Sequence, residues 1–193
     1  MEPSYVDASM HEDANFTTTI QQLKRVGITF SDGLSRAELI NIEKTCEFRF
    51  PPDLKQFLST ALPVGVDFPN WRSNSQDIFA RSQAYLLDGI LFDVEQGIWS
   101  NSWGQKPESD HAAMVLATQL FKQAPIMIPI CGHRFLPSTP YLSGNPVYSI
   151  VQTDIILYGM DLPHYLEHVF LDGPMVQDYN AVRKIEFWHD LLR

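Results

Sequence analysis

Three short apolar runs in the second half of the chain constrain its fold most. Residues 126–130, 147–151 and 155–158 are rich in β-branched side chains and are bounded by Gly, Pro, Asn or Asp. Such runs are typical of strands rather than helices. The last two lie too close together for a parallel crossover, which favours antiparallel pairing. The first two flank a proline- and glycine-rich stretch, predicted to be a stiff loop that presents His133, Arg134 and Tyr141.

Amphipathic segments predict helices on both sides of these strands. Ser35 and Glu38 match a capping box, in which the serine caps backbone N–H groups and the glutamate reaches back. A proline pair at 51–52 opens another helix, because proline in the first turn misses no hydrogen bond. The predicted helices cover residues 16–26, 35–47, a segment from 51 onward, 75–87, 107–123, 161–170 and a last one from about 181, which turns Val182, Ile185, Trp188 and Leu192 inward.

This order predicts an α+β fold, with a mostly antiparallel central sheet flanked by N-terminal and C-terminal helices. The length of 193 residues fits one domain, which we place at residues 16–193. Residues 1–15 contain few large apolar side chains and predict a flexible tail.

Composition narrows the classes of partner and compartment. The chain carries 23 acidic and 14 basic residues, a net charge of −9. This balance argues against nucleic acid, whose binding depends on neutralising phosphates, and fits a basic protein partner or simply solubility. We expect a cytoplasmic protein that neither crosses nor binds a membrane, because the sequence shows no secretory signal and no long apolar run. The two cysteines, Cys46 and Cys131, are expected to be small buried thiols.

Two catalytic patterns can be weighed, and both are weak. His164, Glu167 and His168 match HxxEH, which could place two zinc ligands on one helix face, but a third ligand would have to come from Glu186 in the short remainder. Ser149 with His133 and Asp154 could form a triad, but no nucleophile elbow surrounds Ser149. Phosphate-binding glycine loops are absent. We therefore expect no catalytic residues, no metal and no cofactor.

Several motifs resemble the SUKH superfamily. The segment GLSRAELINIEKTCEFRFPPDLKQFL, residues 33–58, resembles its opening, and GILFDVEQGIWSNSWGQKP, residues 89–107, is similar to the middle of one branch. The stretches IPICGHRFLP, GNPVYSIVQTDIILYG and DLPHYLEHVF follow in the order of that branch. The similarity covers about 18–170, leaving out the first 15 residues and the segment after 173.

The resemblance implies a non-enzymatic binding fold. Its bacterial members are immunity proteins that neutralise a toxin domain, often a nuclease, and its fungal relatives regulate cell-wall synthesis by binding signalling partners. Members bind through the concave sheet face and its rim. We therefore expect an immunity protein whose partner is a cognate toxin domain, with a regulatory scaffold as the alternative and an HxxEH hydrolase as a more remote one.

The residues that could contact such a partner are aromatic, cationic or close to the predicted loop. Tryptophan and tyrosine anchor many interfaces, although they also fill cores. Arg134 has two open roles, bracing the loop through Asp154 or backbone carbonyls, or donating hydrogen bonds to a partner. The partner-binding candidates are Trp71, Trp99, Trp103, His133, Arg134, Tyr141, Asp154 and Tyr158. The oligomeric state is left open.

Overall fold

The computed structural model describes residues 16–192 and confirms an α+β fold, with six helices and two small antiparallel sheets in that range. The predicted tail, residues 1–15, lies outside the described residues. The helices are α1 Phe16–Arg25, α2 Arg36–Thr45, α3 Pro52–Thr60, α4 Ser75–Glu95, α5 Asp110–Gln123 and α6 Leu162–Phe170. The strands are β1 Thr29–Asp32, β2 Ala61–Val64, β3 Met127–Cys131, β4 Arg134–Pro137, β5 Val147–Val151 and β6 Asp154–Gly159.

The larger sheet is an antiparallel meander in the order β3-β4-β5-β6. The three predicted strands are confirmed, but the fourth, β4, occupies part of the stretch predicted as a loop. Its four residues are too few to show a period in the sequence. Pairing with strands on both sides supplies the hydrogen bonds that stabilise it. Arg134 therefore lies in a strand and not at a loop tip.

Both faces of this sheet are packed, because successive side chains of a strand point to opposite faces. Ile128, Leu136 and Val147 point to one face and share a core with α1, α2, α3 and α6, which we call the α6 layer. Their neighbours Phe135 and Tyr148 point to the other face, and share a core with α4, α5 and residues 173–192, the α4 layer.

The small sheet, β1 with β2, was not predicted. It pairs Thr29 with Val64 and Asp32 with Ala61 in antiparallel register. Gly33 follows β1 directly, and a Cβ at this position would collide with the Ser59 carbonyl at the end of α3. The Leu34 N–H donates to the Leu58 carbonyl at 2.8 Å in the same place. A residue without a side chain thus lets the strand pass against the helix.

Two helix predictions are wrong. Helix α4 does not end at Leu87 but continues to Glu95. It passes through Gly89, where a Cβ would lie 3.0 Å from the Gln152 backbone, so this glycine marks a close packing contact rather than a helix end. The last segment contains no α-helix among its described residues, only short 3-10 turns at Tyr179–Ala181 and His189–Leu191.

The inward residues of that last segment were predicted better than its backbone. Val182, Ile185 and Trp188 are buried as expected, but Leu191 is buried in place of Leu192. A spacing of three fits 3-10 turns and irregular chain as well as it fits an α-helix. Contacts made by the side chains therefore decide the path. Leu192 forms a parallel bridge to Ile155, which covers the outer edge of β6.

Candidate functional site

The face of the sheet in the α6 layer is only partly covered. Strand register places Arg134 opposite Ser149, and Ser149 opposite Ile156, in one row across β4, β5 and β6. Arg134 and Ile156 are half-buried, whereas Ser149 is buried. Tyr158 lies two residues from Ile156 and so on the same face. We call these four residues, with His164 and His168 of α6, the α6 face.

A ladder of cation–ring and ring–ring contacts crosses this face. The Arg134 guanidinium lies over the Tyr158 ring, with its Cζ 4.0 Å from the ring centroid. Tyr158 meets the His168 ring edge to face, at 5.6 Å between centroids, and the His168 and His164 centroids are 6.5 Å apart. A guanidinium stacked on an aromatic face is held in one plane, which fixes the direction of its N–H groups.

Local sequence at the start of α6 brings the helix against β6. The Asp161 carboxylate caps α6 by accepting from the His164 N–H at 2.8 Å. Gly159 ends β6, and a Cβ there would lie 2.6 Å from the Tyr165 Cβ. Glycine at this one position lets the helix pack closely on the strand, which places His164 and His168 beside Tyr158.

Two polar atoms beneath this face are buried without a hydrogen-bond partner. They are the Arg134 Nε and the His164 Nδ1. The Tyr165 hydroxyl is also buried, but it faces the Cys131 thiol. Burial raises the pKa of Tyr165, so its phenol stays protonated, and burial also raises the pKa of the Cys131 thiol nearby. Buried donors without a partner are rare, because each costs the water contact it gave up.

The HxxEH histidines do share one side of α6, as expected from their spacing. His168 Nδ1 lies 3.1 Å from the Gly173 carbonyl, a contact that occupies this ring nitrogen. Within residues 16–192, no group of three or more His, Cys, Asp or Glu side chains could hold a metal ion. Glu186, the suggested third ligand, lines a groove in the α4 layer beside Trp103 and Phe187. The geometry gives this motif no third ligand.

The Ser149, His133 and Asp154 triad is not assembled either. Ser149 belongs to the α6 face, paired with Arg134. His133 is exposed and lines a groove with Tyr85 and Phe135, which belongs to the α4 side of the sheet. Burial and the neighbouring Arg134 lower the pKa of His133.

Two of the tryptophans predicted as partner contacts belong to the core. Trp71 is 2% exposed and packs edge-on against Phe48 and Phe50, so the prediction that it contacts a partner is wrong. Trp103 is 8% exposed and stacks on Phe187, so most of its ring belongs to the core, and its contact with a partner stays a prediction. Both rings lie in the core because an indole fills a large buried volume. Trp99 is half-buried and donates to the Gly104 carbonyl.

The remaining candidates divide between the α6 face and another surface. Arg134 and Tyr158 are in direct contact, and Asp154 lies on the same side of β6, exposed. Tyr141 is on a different surface, where the Arg49 guanidinium lies 3.7 Å from its ring centroid. Sequence reasoning missed the contact of His168 with the Tyr158 ring, because it considered His168 only as a zinc ligand. The edge-to-face packing of the two rings reveals it.

Comparisons with known proteins identify no relative. No protein-family model, no curated protein and no solved structure matches the chain. Among residues 16–192, moreover, none of the helices has the length and apolar character needed to cross a bilayer.

Proposed function

We propose that this chain is a non-enzymatic protein-binding module and that its partner docks on the α6 face. The observation that carries the proposal is the Arg134–Tyr158–His168 ladder, with the Arg134 Nε buried beneath it and unpartnered. Arginine and tyrosine are enriched among the residues that dominate binding energy, since both combine large contact area with directed hydrogen bonds. Here the arginine is pre-oriented by stacking, which reduces the entropy lost on binding.

The shape of the α6 layer favours a macromolecular partner over a small substrate. The enclosed cavity between α3 and α6, lined by Phe57, Trp71 and Tyr165, has a volume of about 20 Å³. That is room for a single water. The α6 face is instead an open strip of sheet and helix, which suits a second protein surface.

Charge adds a preference for the kind of partner. The net charge of −9 raises the rate of encounter with a basic protein. Once the two meet, Arg134 supplies N–H donors to carbonyl or carboxylate groups of that protein. Long-range attraction and local pairing thus act on different groups of the partner.

The resemblance to SUKH proteins supports one kind of partner. The motifs that carry the resemblance lie on the capped α2, the proline-opened α3, the strand meander and the capped α6. On that basis the partner is a toxin domain, which the chain neutralises by covering its active surface. Such an interface buries on the order of 1,600 Å².

The test compares two arginine–tyrosine stacks on the same protein. Tagged wild-type protein, Arg134→Ala and Arg49→Ala are used to capture partners from the native host, and the captured proteins are identified by mass spectrometry. We expect a partner that Arg134→Ala loses, by about 30-fold in affinity, whereas Arg49→Ala retains it. Arg134→Lys keeps the charge but not the planar fork, and we expect about a tenfold loss. Circular dichroism verifies that each variant is folded.

The captured protein then decides the biological role. If it is toxic or degrades nucleic acid, stoichiometric wild-type protein should inhibit it and Arg134→Ala should not. A partner that depends on Arg134 but has no activity to inhibit would support the regulatory scaffold instead of immunity. Equal binding by wild type, Arg134→Ala and Arg134→Lys would refute the α6 face as the docking site.

A further inference from the structure

An aromatic groove with acidic residues lies in the α4 layer, away from the α6 face. It runs between the segment around Trp103 and the C-terminal segment, and its lining includes Trp103, Phe187, Glu186 and Asp190, with a volume of about 250 Å³. A second groove of about 160 Å³ continues past Trp103 and is lined by Trp99 and again Asp190. The two grooves meet at Trp103 and Asp190.

The rings form a continuous aromatic wall. Trp99 meets Trp103 edge to face, with 5.1 Å between their centroids. Trp103 in turn stacks on Phe187 at 5.7 Å, the planes differing by 12°. Aromatic faces attract cations electrostatically, and tryptophan does so most strongly.

Every charged side chain that lines these two grooves is acidic. Glu186 and Asp190 are exposed, and no Lys, Arg or His is among the lining residues of either groove. His189 is the chain neighbour of Asp190. Burial, and then Lys184, lower the pKa of His189 and Asp190 opposes them, so the ring is neutral at pH 7. An aromatic wall beside two carboxylates and no competing cation is complementary to a positive charge.

We infer that these grooves bind the side chain of an arginine, or of a lysine, presented by a protein segment. The cation lies against the Trp99–Trp103–Phe187 wall, and Glu186 and Asp190 neutralise it. Arginine is preferred, because its planar guanidinium stacks on rings and pairs with carboxylates at its edge. The site is separate from the α6 face and does not depend on the function proposed for it.

One further feature points to a peptide rather than a free amine. Trp103 is 8% exposed, and its indole N–H is buried without a hydrogen-bond partner. A main-chain carbonyl next to the bound arginine supplies the acceptor that the folded chain lacks. Because this N–H is buried, pairing with it requires a displacement of the Trp103 edge, which the Trp103 indole resonance reports.

The test uses three capped tripeptides, Gly-Arg-Gly, Gly-Lys-Gly and Gly-citrulline-Gly, titrated into the whole chain labelled with nitrogen-15. Citrulline matches arginine in shape but is neutral. We expect saturable shifts of the Trp99 and Trp103 indole resonances with the arginine peptide, at a dissociation constant of about 1 mM. The lysine peptide binds more weakly, and the citrulline peptide does not bind. The Trp71 indole, buried in the α6 layer, serves as the internal reference.

Isosteric variants identify the carboxylates. Glu186→Gln and Asp190→Asn should each weaken binding by about fivefold, whereas Glu167→Gln, the same change at an exposed position of the α6 layer, should not. Should Asp190→Asn fail to fold, Glu186→Gln alone decides. Equal shifts with the citrulline peptide, no saturable shift at all, or wild-type affinity in Glu186→Gln would overturn the inference.

Discussion

The α6 layer and the α4 layer cover the same sheet but are closed in different ways. The α6 layer is built from helices whose ends are marked in the sequence, such as the Ser35 capping box and the Asp161 cap. The α4 layer is closed by residues 173–192, which wrap over the sheet with almost no repeating backbone hydrogen bonds. Side-chain anchors such as Trp188 take over that role. Regular backbone structure is therefore not required to seal a core.

The two layers also present different chemistry at the surface. The α6 layer exposes a cation stacked on an aromatic ring, with buried donors below it. The α4 layer exposes aromatic rings beside carboxylates. One surface offers positive charge and the other receives it, so a single partner could engage both only with opposite charges at the two positions. The predictions below test how each layer is held.

Removing the main buried tryptophan of each layer should lower the free energy of unfolding most. Trp188 is 1% exposed, packs against Phe121 and Phe187, and donates to the Pro125 carbonyl at 2.7 Å. We expect Trp188→Ala to lower the free energy of unfolding by about 4 kcal/mol. Denaturant titration measures this loss, and hydrogen exchange should show β6 losing protection first.

Trp71→Ala is the matched change in the α6 layer, because that ring is equally buried. It should cost a similar amount but leave exchange at β6 as in the wild type. If both variants destabilise the two layers alike, the layers unfold as one unit and the contrast between them has no energetic meaning.

Two buried carboxylates tie helices to loops, one in each layer. Asp93 of α4 accepts from the Thr153 N–H at 2.9 Å and from its hydroxyl at 2.5 Å. Asp53 of α3 accepts from the N–H of Gly144, which is distant in sequence, and from the N–H of the adjacent Leu54. We expect Asp93→Ala to cost about 3 kcal/mol and Asp53→Ala about 1.5, since only one bond of Asp53 is long-range.

The control for both is Asp88→Ala, an exposed carboxylate on α4, which should change stability by less than about 0.5 kcal/mol. Thermal denaturation of the three variants gives the order. A larger loss for Asp53→Ala than for Asp93→Ala would reverse the argument about local and long-range bonds.

The capping box of α2 should contribute less to the free energy of unfolding than the two buried carboxylates. The Glu38 N–H donates to the Ser35 hydroxyl at 3.3 Å, and the Ser35 N–H donates to the Glu38 carboxylate at 2.7 Å. Ser35→Ala should cost about 1 kcal/mol. Ser35→Asp, which restores a capping acceptor, should recover most of it in the same denaturation assay. No recovery would mean that the serine acts through something other than its cap.

The smallest expected effects are pH-dependent and have opposite signs in the two layers. Burial raises the pKa of Asp53, so the stability added by protonating this carboxyl is present below the ordinary value of 3.8 and is lost as the pH rises through the raised value. Burial lowers the pKa of His189, so its contribution is present above the ordinary 6.5 and is lost as the pH falls through the lowered value. Asp53→Asn and His189→Gln should each flatten the corresponding slope of stability against pH, measured by denaturant titration across the acid and neutral range. A slope that survives its own variant belongs to another group.

Sequence patterns determined those features of this protein that depend on neighbours in the chain. The caps of α2 and α6, the proline start of α3 and three of the sheet strands all follow from residues within a few positions of each other. So do the α+β class and the burial of Val182, Ile185 and Trp188.

Only the tertiary structure decided the features that join distant segments. Strand β4 exists because two neighbours pair with it, and α4 passes through Gly89 because Gln152 packs there. The C-terminal segment takes its path from the core that its buried side chains complete. The α6 face is of this kind, since Arg134, Tyr158 and His168 come from three elements. The physical reason is that local propensities are worth a few tenths to about 1 kcal/mol per residue, whereas burying one large side chain is worth several times that.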